Sequence, residues 1–496
     1  MEMPAADHTR EGAKARSREG STVQGLLRAF AIFAPSRLWL GGALLVPGAV
    51  EAQTLRTLRL DYYHTGTASS ETIAVDRLVV EPAPWPGNPA RPVDDTNLGK
   101  YLFEVVDRAT NRVVYSRGFA SIFGEWETTG EARTAARTFH ESLRFPMPER
   151  PVQVSLKKRD ARNAFREIWS TIVDPADIFI DRAAPPSAGP LIELLKSGDP
   201  ATKVDLLILG DGYTAAERGK FDKDARRLVD ILFAFEPFKS RKAHFNVWGL
   251  APAAAESGIS RPSTGIHRRP PAGSTYDAFG SERYVLTFEN RAFRDIASQA
   301  PYDVVEILVN GQTYGGGGIF NLYATVAADS TWAPYVFVHE FGHHFAGLAD
   351  EYYTSDVAYL PAAGRVEPWE MNATALLDPA ALKWKDLVKP GTPLPTPGNK
   401  DAFEAHSREI QTKRRAIRAA NRPEAEMDAL FRTQQGEETR LLAPQAGVVG
   451  AFEGGLYEAR GYFRPQADCV MFTRNEVPFC TVCQRALAKV IDLYTR

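Results

Sequence analysis

The residues of this chain best suited to chemistry by type and spacing are His339-Glu340-Phe341-Gly342-His343. Residues four apart lie on one face of an α-helix, so both imidazoles are expected to reach the same ion. Zinc takes histidine nitrogen at about 2.0–2.1 Å, and a catalytic zinc uses three protein ligands plus water. Glu340 follows the first histidine, and its longer side chain suits it to act as general base on that water. The bland alternative is an amphipathic helix with two surface histidines. The apolar run Tyr335–Val338 ahead of the motif argues against it, because two buried histidines beside a buried glutamate are costly unless they bind something.

The third ligand is expected from HFAGLADEYY, residues 344 to 353. Gly347 should end the helix and turn the chain back. Asp350 is the first candidate and Glu351 the second. A glycine turn that delivers a third His or Asp resembles the extended motif of the metzincins, although Gly347 here lies four residues after His343 rather than three. His344 points to another face, which makes it a supporting or surface residue. The run Tyr314-Gly315-Gly316-Gly317-Gly318 leaves backbone groups unshielded and is read as an edge that pairs with extended substrate, and as a possible oxyanion donor. The competing reading is a flexible surface loop. Met471 is the candidate for a methionine turn beneath the metal, with Met371 as competitor. Tyr352 and Tyr353 are weaker candidates for oxyanion stabilisation, and Asn372-Ala373-Thr374 fits a glycosylation sequon. Cys469, Cys480 and Cys483 permit one local disulfide and one free thiol. Metal binding by them is disfavoured for want of a fourth ligand nearby.

These residues need rigid supports. From residue 191 onward the pattern is α/β. VDLLILGDGY, FNVWGLAP and DVVEILVN read as strands. FDKDARRLVDILFAF and YVFVHEFGHHFAGL read as helices, the first opened by Thr214 with Glu217 at capping-box spacing. Residues 400–436 are charged and read as a solvated helical insertion. Before the linker RAAPPSAGP (182–190), LRTLRLDYYHTG, AVDRLVVEPAP, KYLFEVVD, RVVYSRGF and VQVSLKKRD alternate like strands between turn residues, predicting an antiparallel β-sandwich over 53–181.

With 496 residues, 44% hydrophobic and 24% charged, the chain is long enough for two globular domains. A net charge of -2 gives no pull toward nucleic acid or anionic membrane. Residues 1–52 read as a targeting segment. Arg28 and Arg37 precede the apolar run Leu38–Val46, and Val50-Glu51-Ala52 offers a cleavage site before Gln53. Export to a secreted or periplasmic location is the expectation, without stable membrane insertion after cleavage.

The chain resembles the bacterial IgA-peptidase family of zinc metallopeptidases. The resemblance rests on GFASIFGEWETT and FHESLRFP toward the N-terminus, and on ILGDGYT, YGGGGIFN, VHEFGHHFAGLADEYY, LKWKDL and DCVMFTRNEVPFCTVCQRA further on. Ala346 departs from the family, where a second glycine is expected. The resemblance implies an α+β molecule: an N-terminal β-sandwich, then a metzincin-like α/β peptidase domain with a mixed sheet. It also places zinc on His339 and His343, the base on Glu340, and protein or peptide as substrate. A silent metal-containing binding protein and a zinc amidase on a cell-wall or glycoprotein substrate are the alternatives.

Overall fold

The computed structural model describes residues 55–361 and 364–495. The targeting segment 1–52 therefore lies outside the described residues. No described helix is long and apolar enough to cross a membrane.

The N-terminal part is built from β1 (Arg56–Gly66), β2 (Glu71–Pro84), β3 (Tyr101–Asp107), β4 (Arg112–Phe119), the short helix α1 (Ile122–Trp126), β5 (Arg137–Pro146), β6 (Val152–Arg159) and β7 (Phe165–Val173). They form two antiparallel sheets, β2-β1-β5 and β4-β3-β6-β7. Leu58, Leu60 and Phe145 from one sheet meet Phe103, Val154 and Leu156 from the other in a common core. Sequence reading found neither β5 nor β7. In β5 the inward positions are Phe139, Glu141, Leu143 and Phe145, so a buried acid interrupts the apolar alternation. β7 is an edge strand with much of its length exposed, which leaves little pattern to read.

The second part continues with β8 (Ile192–Leu195), β9 (Val204–Asp211), α2 (Arg218–Leu232), β10 (Phe245–Leu250), the small pair β11 (Ser274–Thr275) and β12 (Leu286–Thr287), α3 (Asn290–Ala297), β13 (Val304–Val309), β14 (Gly316–Ile319), β15 (Tyr323–Ala327) and α4 (Ala333–Ala346). Its main sheet is mixed, ordered β14-β15-β13-β9-β10-β8. β15, β13, β9 and β10 run parallel, and the two edge strands β14 and β8 are antiparallel to their neighbours. β9 and β13 are buried along their whole length, which is why each reads as an unbroken apolar run. The Thr214–Glu217 capping box is present and opens the turn that leads into α2.

The chain closes with the helices α5 (Lys400–Ala419) and α6 (Glu424–Leu442), the hairpin β16 (Phe452–Gly455) and β17 (Glu458–Arg464), and α7 (Thr481–Thr495). The α5–α6 pair is less solvated than its charge suggested. Phe403, Met427 and Phe431 enter the main core, and buried Arg414 pairs with Glu282. Most of the remaining charge lies on the outer face, with Glu438 buried like Arg414.

The site helix α4 packs on β14 and β15. On its other side Phe341 and Phe345 stack on each other and meet Phe238 edge-on. Each such phenylalanine contributes about 1.5–3 kcal/mol by burial. The glycines of β14 permit the close approach of strand and helix. A Cβ on Gly318 would stand 2.4 Å from the Glu340 carbonyl oxygen and 2.9 Å from the His343 Cβ. Gly318→Ala is therefore expected to cost about 1–3 kcal/mol in urea unfolding, the usual price of overpacking. Gly130→Ala, with open space around it, should be near neutral in the same experiment.

Candidate active site

Gly347 ends α4 in the left-handed conformation, φ 57°, and its N–H bonds back to the Gly342 and His343 carbonyls. The turn then folds Leu348 to Asp350 beneath the histidines. The His343 Nδ1 donates to the Leu348 carbonyl at 2.5 Å, and the His339 Nδ1 donates to the Val470 carbonyl at 2.9 Å. These bonds fix both tautomers, so both Nε2 lone pairs face the same point. The two Nε2 atoms are 3.1 Å apart, and Asp350 Oδ1 lies 3.0 Å from one and 3.2 Å from the other. Tyr457 donates to the other Asp350 oxygen at 2.5 Å.

Burial alone would push His343 down, but the Asp350 carboxylate and Glu340 outweigh it and hold the imidazole up at about 9. Burial likewise opposes the charge on Asp350, and the two histidines hold it well below the usual carboxylate range. His343 and Asp350 are thus held in their charged forms, and a dication would displace the His343 proton. Glu340 stands with its carboxylate near both histidine nitrogens, the three ligand atoms falling within 4.8 Å of one another. Burial raises its pKa, the histidines working against that shift. Behind it Glu306, fully buried on β13, has no hydrogen-bond partner for either oxygen among the described residues. Burial first, and the Glu340 charge second, hold Glu306 well above the carboxylate range, hence neutral.

Glu340, His343 and Asp350 face an open cleft of about 660 Å³. Gly316, Gly317 and Gly318 form one wall. Gly316 exchanges backbone hydrogen bonds with Arg283 and Val285, and the Phe320 carbonyl accepts from Ala120. By the alternation of a strand, the Gly318 N–H and C=O point the same way, out along the edge between these two contacts. Tyr314 and Gly315 do not line the cleft: the Tyr314 ring packs against Phe431. Tyr352 is in the cleft with its hydroxyl bonded by Arg283, whereas Tyr353 stacks on Phe472 in the core.

Met471 is fully buried under α4, where a Cβ on Gly342 would come within 2.9 Å of its sulfur; Met371 is only half-buried. His344 is buried rather than a surface residue. It accepts from the Val305 N–H and donates to the Ile319 carbonyl, and burial lowers its pKa to about 3, so it is a neutral tie between helix and sheet. Asn372 is 0% exposed and bonded to Ala349 and Glu351, which removes the sequon from any modifying enzyme.

Sequence reading missed Tyr457 and the cleft residues Glu125 and Lys100, which the N-terminal part supplies. One signal for Tyr457 was present. The turn between β16 and β17 is Leu456-Tyr457, with φ of 52° and 65°, where asparagine and glycine are the usual occupants. Such strain marks a position held for a reason.

The cleft thus sets an open sheet edge beside the histidine pair and Glu340. The family profile for IgA Peptidase M64 matches residues 192–491, and that for the Peptidase M64 N-terminus matches residues 51–170. The chain belongs to this peptidase family, which implies a metallopeptidase acting on protein or peptide. No curated protein matches it.

Proposed function

We propose that the chain is an exported zinc endopeptidase of metzincin-like architecture, with His339, His343 and Asp350 as metal ligands and Glu340 as general base. The observation that carries this is the convergence of two tautomer-fixed Nε2 atoms and one carboxylate oxygen, beside a second carboxylate open to the cleft. The donor set fits zinc: two nitrogens and one oxygen, all at mutual distances that a tetrahedral ion spans at about 2.0–2.2 Å per bond. Zinc supplies a Lewis acid for the scissile carbonyl and acidifies the attacking water.

This chain's own residues do the rest. Gly318 binds the substrate backbone and orients the scissile bond across α4. Glu340 takes a proton from the attacking water and returns it to the leaving amine nitrogen. Asp350, steadied by Tyr457, holds the histidine pair in register. Arg283 and Tyr352 on the cleft wall are placed to steady negative charge on the carbonyl oxygen. The apolar run before residue 53 supports export.

The test is hydrolysis of an unfolded protein such as reduced casein, run beside gelatin, immunoglobulin and peptidoglycan. Activity on polypeptide should vanish with chelator and return with added zinc. Cleavage of peptidoglycan alone would replace this reading with the amidase, and no hydrolysis of any substrate by zinc-loaded protein would leave the binding protein.

A further inference from the structure

A second group of metal-ligating side chains lies on the far side of the loop that carries Asp350. Glu351, Cys469, Cys480 and Cys483 place one ligand atom each within 4.8 Å of one another, and all four are buried. The three cysteines are free. The fourth ligand thought missing from the sequence is Glu351, which turns away from the histidines while its neighbour turns toward them.

We propose that Glu351, Cys469, Cys480 and Cys483 form a closed structural zinc site, separate from the histidine centre. The geometry points to a tetrahedral ion. Zinc–sulfur bonds of about 2.3 Å and zinc–oxygen bonds of about 2.0–2.2 Å set ligand separations of about 3.8 Å between sulfurs and about 3.6 Å between sulfur and oxygen. Cys469 Sγ and Cys483 Sγ are 3.9 Å apart, and Cys483 Sγ is 3.5 Å from Glu351 Oε1. The former distance is far from the bond length of about 2.05 Å in a disulfide.

The surroundings favour a charged, ligated cluster. The Cys480 N–H donates to Cys469 Sγ, and the Cys483 N–H to Cys480 Sγ, as thiolates at the head of a helix require. Asn372 holds Glu351 Oε1 at 2.9 Å, while Glu351 Oε2 has no partner among the described residues although it is buried. A buried carboxylate with one orphaned oxygen and the other 3.5 Å from Cys483 Sγ costs free energy that a bound cation would recover. Arg464, buried and close enough to act on both Glu351 and Cys469, offsets part of the excess negative charge of three thiolates and a carboxylate. Loading the site releases the thiol protons to solvent. By contrast the cluster of Asp61, Asp76 and His140 is already neutralised by Arg59, Arg77 and Arg291.

The site would staple three segments under the active centre. Glu351 follows Asp350, and its N–H bonds to the Met471 carbonyl at 2.9 Å. Cys469 precedes Val470, whose carbonyl orients His339. Cys480 and Cys483 sit at the start of α7. The second ion would thus brace this loop alongside the backbone bonds that already hold it.

The proposal is tested with full-length His339→Ala/His343→Ala, in which the cysteine cluster is untouched. After zinc loading and dialysis, wild type should hold two equivalents by elemental analysis and the double variant one. Replacing zinc by cobalt in that variant should give the thiolate-to-metal charge-transfer absorption of a sulfur-rich site. The chain denatured in chelator without reductant should titrate three thiols. A double variant that holds no metal, or a chain with a single titratable thiol, would overturn the proposal, the latter by showing a disulfide. Because the histidine centre is absent from the variant, these outcomes do not depend on whether that centre binds zinc.

Discussion

Glu340→Gln should lower kcat on an unfolded protein substrate by about 10²–10⁴-fold, the usual worth of a positioned general base, with KM little changed and metal content unchanged. The substitution keeps the side chain's size and removes only its ability to accept a proton. Three of the acids nearby are not placed to substitute. Glu306 is fully buried on β13 and held neutral. Both oxygens of Asp350 are engaged, one with the histidines and one with Tyr457. Glu351 faces the cysteines. Kinetics on casein and elemental analysis of the same preparation check this together. Wild-type turnover in the variant would remove Glu340 from the mechanism, and loss of metal along with activity would make it a ligand instead.

What the sequence disclosed about this site was whatever is local along the chain. His339 and His343 meet because a helix brings i and i+4 to one face, and Gly347 ends that helix because its conformation suits glycine. The apolar runs of β9, β10 and β13 were equally plain, since strands buried on both faces need no alternation. Beyond the helix end, periodicity stops. Asp350 and Glu351 are adjacent acids in an irregular turn, and no repeat states which one faces the histidines. The cysteines met the same limit: a fourth ligand 118 residues before Cys469 is invisible until the turn direction is known. Tyr457, the Val470 carbonyl and Glu125 reach the site by tertiary packing alone. In the N-terminal part, Glu141 hid β5 for a related reason. It sits at an inward position because His64 and Tyr62 bond it there, which pattern reading scores as a break.

Asp350→Ala should remove the metal of the histidine centre and with it all activity, whereas Glu351→Gln should leave that metal in place. The two residues are neighbours, so the contrast tests direction rather than distance. Asp350 Oδ1 stands 3.0–3.2 Å from both Nε2 atoms, and no other carboxylate oxygen is so placed among the described residues. With alanine there, two imidazoles remain, and the loss of zinc affinity should exceed the roughly 10–100-fold typical of a supporting residue. Tyr457→Phe supplies that milder case. It keeps the carboxylate but removes the hydrogen bond at 2.5 Å that orients it, so a loss of about 10–100-fold in metal affinity or activity is expected. The backbone at both positions is held independently of the side chains: the Asp350 carbonyl accepts from Leu456, and the Glu351 N–H donates to Met471. Competition with a metal chelator, followed by activity on the same samples, should therefore rank the variants Asp350→Ala far below Tyr457→Phe, with Glu351→Gln nearest wild type at the histidine centre. The reverse order for the two acids would move the third ligand to Glu351 and require the turn after Gly347 to shift by one residue.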